Sequence, residues 1–429
     1  MKDINIVTLG CSKNTVDSEV LAGQLAPEGY KIYFDSPVES DVVIINTCGF
    51  INDAKEESIE TILRFAKARK KGKLQHLVVM GCLSQRYKAE LSDEIPEVDK
   101  WYGVEQIETI VSDFEIQWRK ELLVERTLST PPHYAYVKIA EGCDRKCSFC
   151  AIPMIRGKHI SKSMDDISAE CINLVKNGVK ELLLISQDLT YYGKDIYGKN
   201  MLATLVDRIA KENPETWVRL HYTFPLGFSD ELIKVFRSNQ NVLNYIDIPL
   251  QHISTRILKS MRRGIDKEGT EALIERFRTQ LPDAAIRTAF IVGYPGETEK
   301  DFAELQSFIE KYKFERMGVF TYSHEENTHA AEMDDNIPEE IKNLRRDILM
   351  DIQQKISLEH NKSMVGKTMK VLIDRLEGEY WIGRTEYDSP EVDNEVLVKM
   401  EDSEPLEGKF ITVMVNDADD YDLYATRIC

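Results

Sequence analysis

No apolar run in this chain could cross a bilayer: the longest, such as VVII at 42–45, falls far short of the roughly 20 residues a spanning helix needs. MKDINIVTLG shows neither a basic leader nor a long apolar core, so secretion is not expected. Cysteine is also scarce, at eight in 429 residues. That excludes a disulfide-stapled scaffold and predicts a cytosolic protein with reduced thiols. A surplus of basic charge is missing as well: 55 Lys and Arg face 73 Asp and Glu, a formal net charge of −18. Affinity for a phosphate backbone comes from cations, so the balance argues against nucleic acid as the main partner and favours a basic protein. The length predicts two or three domains with ample cores.

What is present begins with a repeated unit. NIVTLGC (5–11), DVVIINTC (41–48) and HLVVMGC (76–82) are runs of β-branched and apolar residues ending in cysteine, with Gly or Thr beside it. Helical patterns over Ser18–Leu25, Ser58–Ala68 and Gln85–Leu91 separate or follow them. Alternating strands and helices predict a doubly wound parallel α/β sheet over 1–126, whose strands share one carboxyl edge where ligands bind. Cys11, Cys48 and Cys82 should therefore converge in space. A single cysteine at a strand end is most simply a small buried residue, but three at one topological position point to a site.

Pro131 and Pro132 in TLSTPPHY (127–134) mark a linker. From 129 to 361 six further strands, starting with YAYVKIAEGC and ending with ERMGVFTYS (315–323), alternate with helical patterns. Six parallel strands in this length predict an open, partial (β/α)6 barrel with active groups at the strands' carboxyl ends. Gln187, Asp188, His221, Gln251, His252, Gly293 and Tyr294 fall there. A polar helix over 338–362 leads to 364–429, where short strands separated by Gly, Pro and Asp turns predict a small antiparallel barrel of the OB kind. Residues 366–429 hold 7 Lys and Arg against 16 Asp and Glu, a net of −9, which suits either a solubilising cap or a surface for a cationic partner.

EGCDRKCSFCAIP carries the most specific signal. Cys143, Cys147 and Cys150 at C-x3-C-x2-C can hold a 4Fe-4S cluster with three thiolates and leave one iron free for a small molecule, in this spacing S-adenosylmethionine. A zinc knuckle would need a second cysteine or histidine pair nearby, and His159 alone does not supply it. Such a cluster can cleave bound S-adenosylmethionine by one electron and release a 5′-deoxyadenosyl radical. Phe149 is placed to line the adenine. The glycines of IVGYPGET would let the backbone approach the cofactor at Gly293 and Tyr294, and Gln187 is a further candidate contact, although such a run is also a common turn and strand-end polar groups can simply satisfy one another.

Two cysteine triples, a six-strand core and a terminal barrel together resemble the radical S-adenosylmethionine methylthiotransferases over essentially the whole chain. The resemblance implies that Cys11, Cys48 and Cys82 bind an auxiliary 4Fe-4S cluster, that Cys143, Cys147 and Cys150 bind the radical cluster, and that 364–429 is a TRAM barrel. It further implies that the auxiliary cluster carries the sulfur to be inserted, with one S-adenosylmethionine giving the methyl group and another the radical. A low-potential electron donor is then a partner. SQDLTYYGKDIYG (186–198), RLHYTFP (219–225), DIPLQHIS (247–254) and GRTEYDSPEVDN (383–394) look like the branch that modifies an aspartate β-carbon of the twelfth small-subunit ribosomal protein. Thr223-Phe224 departs mildly from that branch's usual aromatic pairing. The alternatives are methylthiolation of a tRNA adenosine beside the anticodon and, from another class, a non-catalytic iron–sulfur scaffold or redox sensor. Cys171, within a helical pattern, reads as core, and Cys429 ends the chain.

Overall fold

The structure, a computed structural model, describes residues 3–37, 40–400 and 404–428; Cys429 lies outside them. The first unit runs β1 (Asp3–Thr8), α1 (Ser12–Leu25), β2 (Lys31–Phe34), β3 (Val42–Thr47), α2 (Asn52–Lys70), β4 (His76–Gly81), α3 (Cys82–Glu94), β5 (Lys100–Trp101) and α4 (Ile107–Asp113). Its strands form one parallel sheet in the order β2-β1-β3-β4-β5. Apolar layers cover both faces, Ile62, Leu77 and Leu83 on one and Ile4, Leu21 and Ile44 on the other, as the doubly wound reading requires.

The helices begin earlier than apolar periodicity predicts, at Ser12, Asn52 and Cys82 rather than Ser18, Ser58 and Gln85. In α1 the reason is burial of polar residues. Lys13, Asn14, Asp17, Ser18 and Glu19 are all buried, because Val16 on the same helix packs against Tyr134, Tyr136, Leu183 and Ile185 of the next unit. A helix enclosed on both sides shows no apolar stripe.

The second unit comprises β6 (Tyr134–Lys138), β7 (Ala140–Glu141), α5 (Ile152–Arg156), β8 (Ile160–Ser161), α6 (Met164–Lys176), β9 (Glu181–Ile185), α7 (Lys194–Tyr197), α8 (Leu202–Glu212), β10 (Trp217–Leu220) and α9 (Asp230–Ser238). It continues through β11 (Tyr245–Asp247), α10 (Thr255–Ser260), α11 (Lys267–Gln280), β12 (Ala285–Val292), α12 (Glu299–Tyr312), β13 (Arg316–Thr321) and α13 (Glu339–Lys362). Six of these strands are parallel, in two triplets, β10-β9-β6 and β11-β12-β13, adjoining where Val218 bridges Val242. This is the open six-strand barrel, with Leu184, Val218, Ile246 and Phe290 in its main core. Cys171 is fully buried in that core.

The last unit, β14 (Thr368–Glu377), β15 (Tyr380–Arg384), β16 (Val396–Lys399), β17 (Phe410–Ala418) and β18 (Leu423–Arg427), closes as β14-β15-β16-β18-β17. One of its pairings, β16 with β18, is parallel rather than antiparallel. Its β15–β16 loop enters the six-strand unit. Ser389 Oγ lies 2.9 Å from His221 Nε2, Asp393 accepts from Tyr245 OH at 2.6 Å, and Asp388 pairs with Arg316. The small barrel is thus keyed into the core.

Candidate active site

β1, β3 and β4 are neighbours in the sheet, and a cysteine follows each. Cys11 caps the amino end of α1, Cys48 follows β3, and Cys82 is the first residue of α3. Glycines let the three loops close on one another. A side chain at Gly10 would stand 2.6 Å from Cys48 Cβ, and one at Gly49 2.7 Å from the Leu83 nitrogen. Gly81 has a φ of +100°, and a Cβ there would meet Asn46 Oδ1 at 2.5 Å. Cys48 is held through Ser58, whose Oγ accepts from the Cys48 N–H at 3.1 Å and donates to its carbonyl at 2.9 Å. Burial pushes the Cys82 thiol up to about 12 and raises Cys48, with Cys11 adding repulsion in both cases. Three soft donors in a glycine-walled cradle fit an iron–sulfur cluster, whose binding takes thiolates and so displaces those protons.

The second triple lies in the loop between β7 and α5. The Cys143 N–H donates to the Gly157 carbonyl at 3.1 Å, and Gly142, at a φ of +74°, lets the carbonyls of Arg156 and Lys158 press against it. Ser148 anchors the middle of the loop: its N–H donates to the Met261 carbonyl, its Oγ pairs with Tyr294 OH at 2.8 Å, and its carbonyl accepts from Ala330. Two arginines lie at the sulfurs. The Arg145 backbone N–H approaches Cys143 Sγ and the Arg263 guanidinium Nη1 approaches Cys147 Sγ, each at 3.4 Å. Their guanidinium groups sandwich the Phe224 ring at 4.0 and 4.2 Å from its centroid. Burial raises Cys143 to about 11 and Cys150 to about 12, so a metal held by these two thiolates would have to displace their protons.

The two triples belong to one interface. Cys82 shares an apolar cluster with Ala151, the neighbour of Cys150, and with Ile155 of α5. Among the described residues no group of three or more His, Cys, Asp and Glu side chains is arranged to hold one metal ion. A cluster in which each thiolate binds a different iron does not call for such convergence on a point. His159 Nε2 is engaged with Ser161 Oγ at 3.0 Å, and the ring abuts Tyr191.

Of the proposed cofactor contacts, Phe149 packs with Met261 and Tyr294 beside the second triple. Tyr294 is fully buried, with its hydroxyl on Ser148, so it supports the cysteine loop. Gly293 gives its N–H to Glu297 at 2.7 Å, and the space of its missing side chain is filled by the stem of Lys342 from α13. Gln187 donates to Glu141 Oε1 at 2.7 Å, two residues before Cys143. Asp188 pairs with Arg145 at 2.7 Å. Residue patterns alone missed Asn14, Arg145, Arg156 and Arg263, which are isolated polar residues whose partners are far away in sequence. The one local signal is Asn14 three residues after Cys11, within the first turn of α1.

Comparison with known proteins extends the picture. Residues 3–103 match the uncharacterized protein family UPF0004, 137–309 the Radical SAM superfamily and 365–428 the TRAM domain. The chain is 54% identical over 426 residues to the protein from Bacteroides thetaiotaomicron named ribosomal protein uS12 methylthiotransferase RimO, covering 99% of this chain and 98% of that one. Its namesake from Cytophaga hutchinsonii is 52% identical over 422 residues, 98% and 97% of the two chains. The one from Flavobacterium psychrophilum is 49% identical over 421 residues, with the same coverage. Among solved structures, the radical S-adenosylmethionine methyltransferase TsrM from Kitasatospora setae aligns with a TM-score of 0.55 at 12% identity, covering 88% of this chain and 79% of that one. The cobalamin-dependent S-adenosylmethionine radical enzyme OxsB aligns at 0.52 and 11%, covering 83% and 56%. At such identities these two likenesses establish the fold.

Proposed function

This chain belongs to the ribosomal protein uS12 methylthiotransferase (RimO) family of radical S-adenosylmethionine enzymes, and from that premise we propose a division of labour among its residues. It is a transferase acting on uS12, which sets aside the non-catalytic scaffold. In our reading Cys11, Cys48 and Cys82 hold the auxiliary 4Fe-4S cluster, and Cys143, Cys147 and Cys150 hold the radical cluster. The observation that carries it is the shared interface, where Cys82 packs against the residue following Cys150. Bound there, the clusters supply one-electron cleavage of S-adenosylmethionine and a place for the sulfur to be inserted.

The chain's own residues then bind, orient and shield. Arg263, stacked on Phe224 and with Nη1 on Cys147 Sγ, places positive charge at the radical triple, where it favours an anion or an added electron, while the Arg145 charge is paired with Asp188. Tyr294 and Ser148 keep that loop in one conformation. The target is the β-carbon of an aspartate in uS12, a basic protein whose charge complements the acidic terminal barrel. The enzyme works in the cytoplasm with a low-potential electron donor; among the described residues no helix is long and apolar enough to cross a membrane. Its units are 1–126, 129–361 and 364–429.

Anaerobic reconstitution with iron and sulfide, followed by incubation with S-adenosylmethionine, reductant and either uS12 or tRNA, tests this reading. A methylthio mass on one uS12 aspartate, lost when any of the six cysteines becomes Ala, is expected. Modified tRNA with unmodified uS12 would overturn it.

A further inference from the structure

One amide touches every loop of the first triple. Asn14 Nδ2 donates to the Leu9 carbonyl at 2.7 Å, two residues before Cys11, and to the Thr47 carbonyl at 3.1 Å, one residue before Cys48. Its Oδ1 lies 3.8 Å from Cys82 Sγ. That same oxygen accepts from Arg156 Nη2 at 2.5 Å. Arg156 closes α5, six residues after Cys150, and is 2% exposed. Its Nη1 donates to Asp17 of α1 at 3.1 Å and to Glu141 at 2.9 Å, two residues before Cys143. Lys138 completes the charge set, paired with both Asp17 and Glu141.

We propose that Asn14 and Arg156 are positioning residues that lock the two cluster sites in register, and that the Arg156 guanidinium is the cation balancing the auxiliary triple. The proposal rests on the assignment of the six cysteines given above. The side-chain chemistry is specific. Only an amide can donate twice to carbonyls and accept from a guanidinium with the same group; an aspartate at 14 would face the Leu9 and Thr47 carbonyls without a proton to give. Only an arginine presents a planar fork that reaches an amide on one side and two carboxylates on the other. Asp17 and Glu141 alone would explain an interdomain ion pair. They do not explain why the remaining nitrogen goes to the amide that organises the cysteine loops. A buried cation beside three thiolates also stabilises the more negative, reduced state of whatever cluster they hold, and therefore raises its potential.

Charge and geometry separate by substitution. Full-length Arg156→Gln and Arg156→Lys are prepared anaerobically, each also in a background with Cys143, Cys147 and Cys150 changed to Ala, so that the auxiliary cluster is titrated alone by EPR. Arg156→Gln should lower the auxiliary equilibrium between reduced and oxidised cluster about tenfold, a shift of about 59 mV for one electron. In the reverse background, lacking Cys11, Cys48 and Cys82, the radical cluster's potential should stay put. Arg156→Lys keeps the cation and should keep the auxiliary potential, yet yield severalfold less methylthiolated uS12 per 5′-deoxyadenosine formed. An unmoved auxiliary potential in Arg156→Gln, or full coupling in Arg156→Lys, overturns the proposal. If the Gln variant does not fold, the coupling ratio of the Lys variant decides. A wild-type chain whose iron content accounts for one cluster takes the six-cysteine assignment down with it, whereas two wild-type clusters with unmoved variants remove this proposal alone.

Discussion

At the scale of single residues, the cysteines announce themselves and their supports do not. Cysteine is rare enough that three repeats of strand, glycine or threonine, and cysteine are legible in the chain. Asn14, Arg156 and Arg263 carry no such mark, since polar residues are common and each has a deciding partner far away in sequence, Thr47 at 33 positions, Asn14 at 142 and Cys147 at 116. Glu297 is another such residue. Its carboxylate accepts from the Gly293 and Tyr294 N–H groups and pairs with Arg345 at 3.0 Å, shaping the glycine loop. Burial raises its pKa to about 7, and Arg345 and the two N–H groups only partly offset that. A carboxyl raised on folding contributes stability that is complete below its unfolded value and is lost as pH rises through the folded one. Glu297→Gln should therefore gain on the wild type by an amount on the order of 2 kcal/mol between about pH 5 and pH 8. Urea midpoints across that range check it; a gap independent of pH contradicts it.

Among the secondary elements, type and order follow from pattern, and boundaries depend on burial. The six core strands are apolar runs that hold their place because helices cover them. The start of α1 is illegible because its polar first turns are enclosed between two units, so alternation of apolar and polar residues has no meaning there. The same holds for the parallel β16–β18 pair, which depends on how the terminal barrel closes and not on any local period. Turns that bring elements together are more readable, because glycine signals them. Gly81→Ala should cost more than about 1 kcal/mol, since an L side chain at a φ of +100° is strained and its Cβ would strike Asn46 and Thr47. Denaturant unfolding measures the loss, and iron uptake should fall with it; a variant of unchanged stability would contradict the crowding described.

For the whole molecule, the terminal barrel is held by buried charge. Glu181 bridges Arg219 at 2.7 Å and Arg384 at 2.6 Å, and Arg384 continues to Asp374, itself 2.8 Å from His133. Burial alone would raise Glu181, but Arg384 and Arg219 hold it below the usual carboxylate range. Removing one member of such a set strands the others, so Glu181→Ala should destabilise the protein by roughly 3–5 kcal/mol. Thermal unfolding monitored with barrel and core probes checks it, and a loss below about 1 kcal/mol would contradict a shared buried network. The acidic excess of residues 366–429 was countable from composition, whereas the keying of the β15–β16 loop into the core required coordinates. The central claim concerns what this assembly modifies. The most direct measurement is the intact and peptide mass of uS12 from cells with and without this gene: the account predicts a methylthio group on one aspartate only when the gene is present, and identical uS12 masses in both would contradict it.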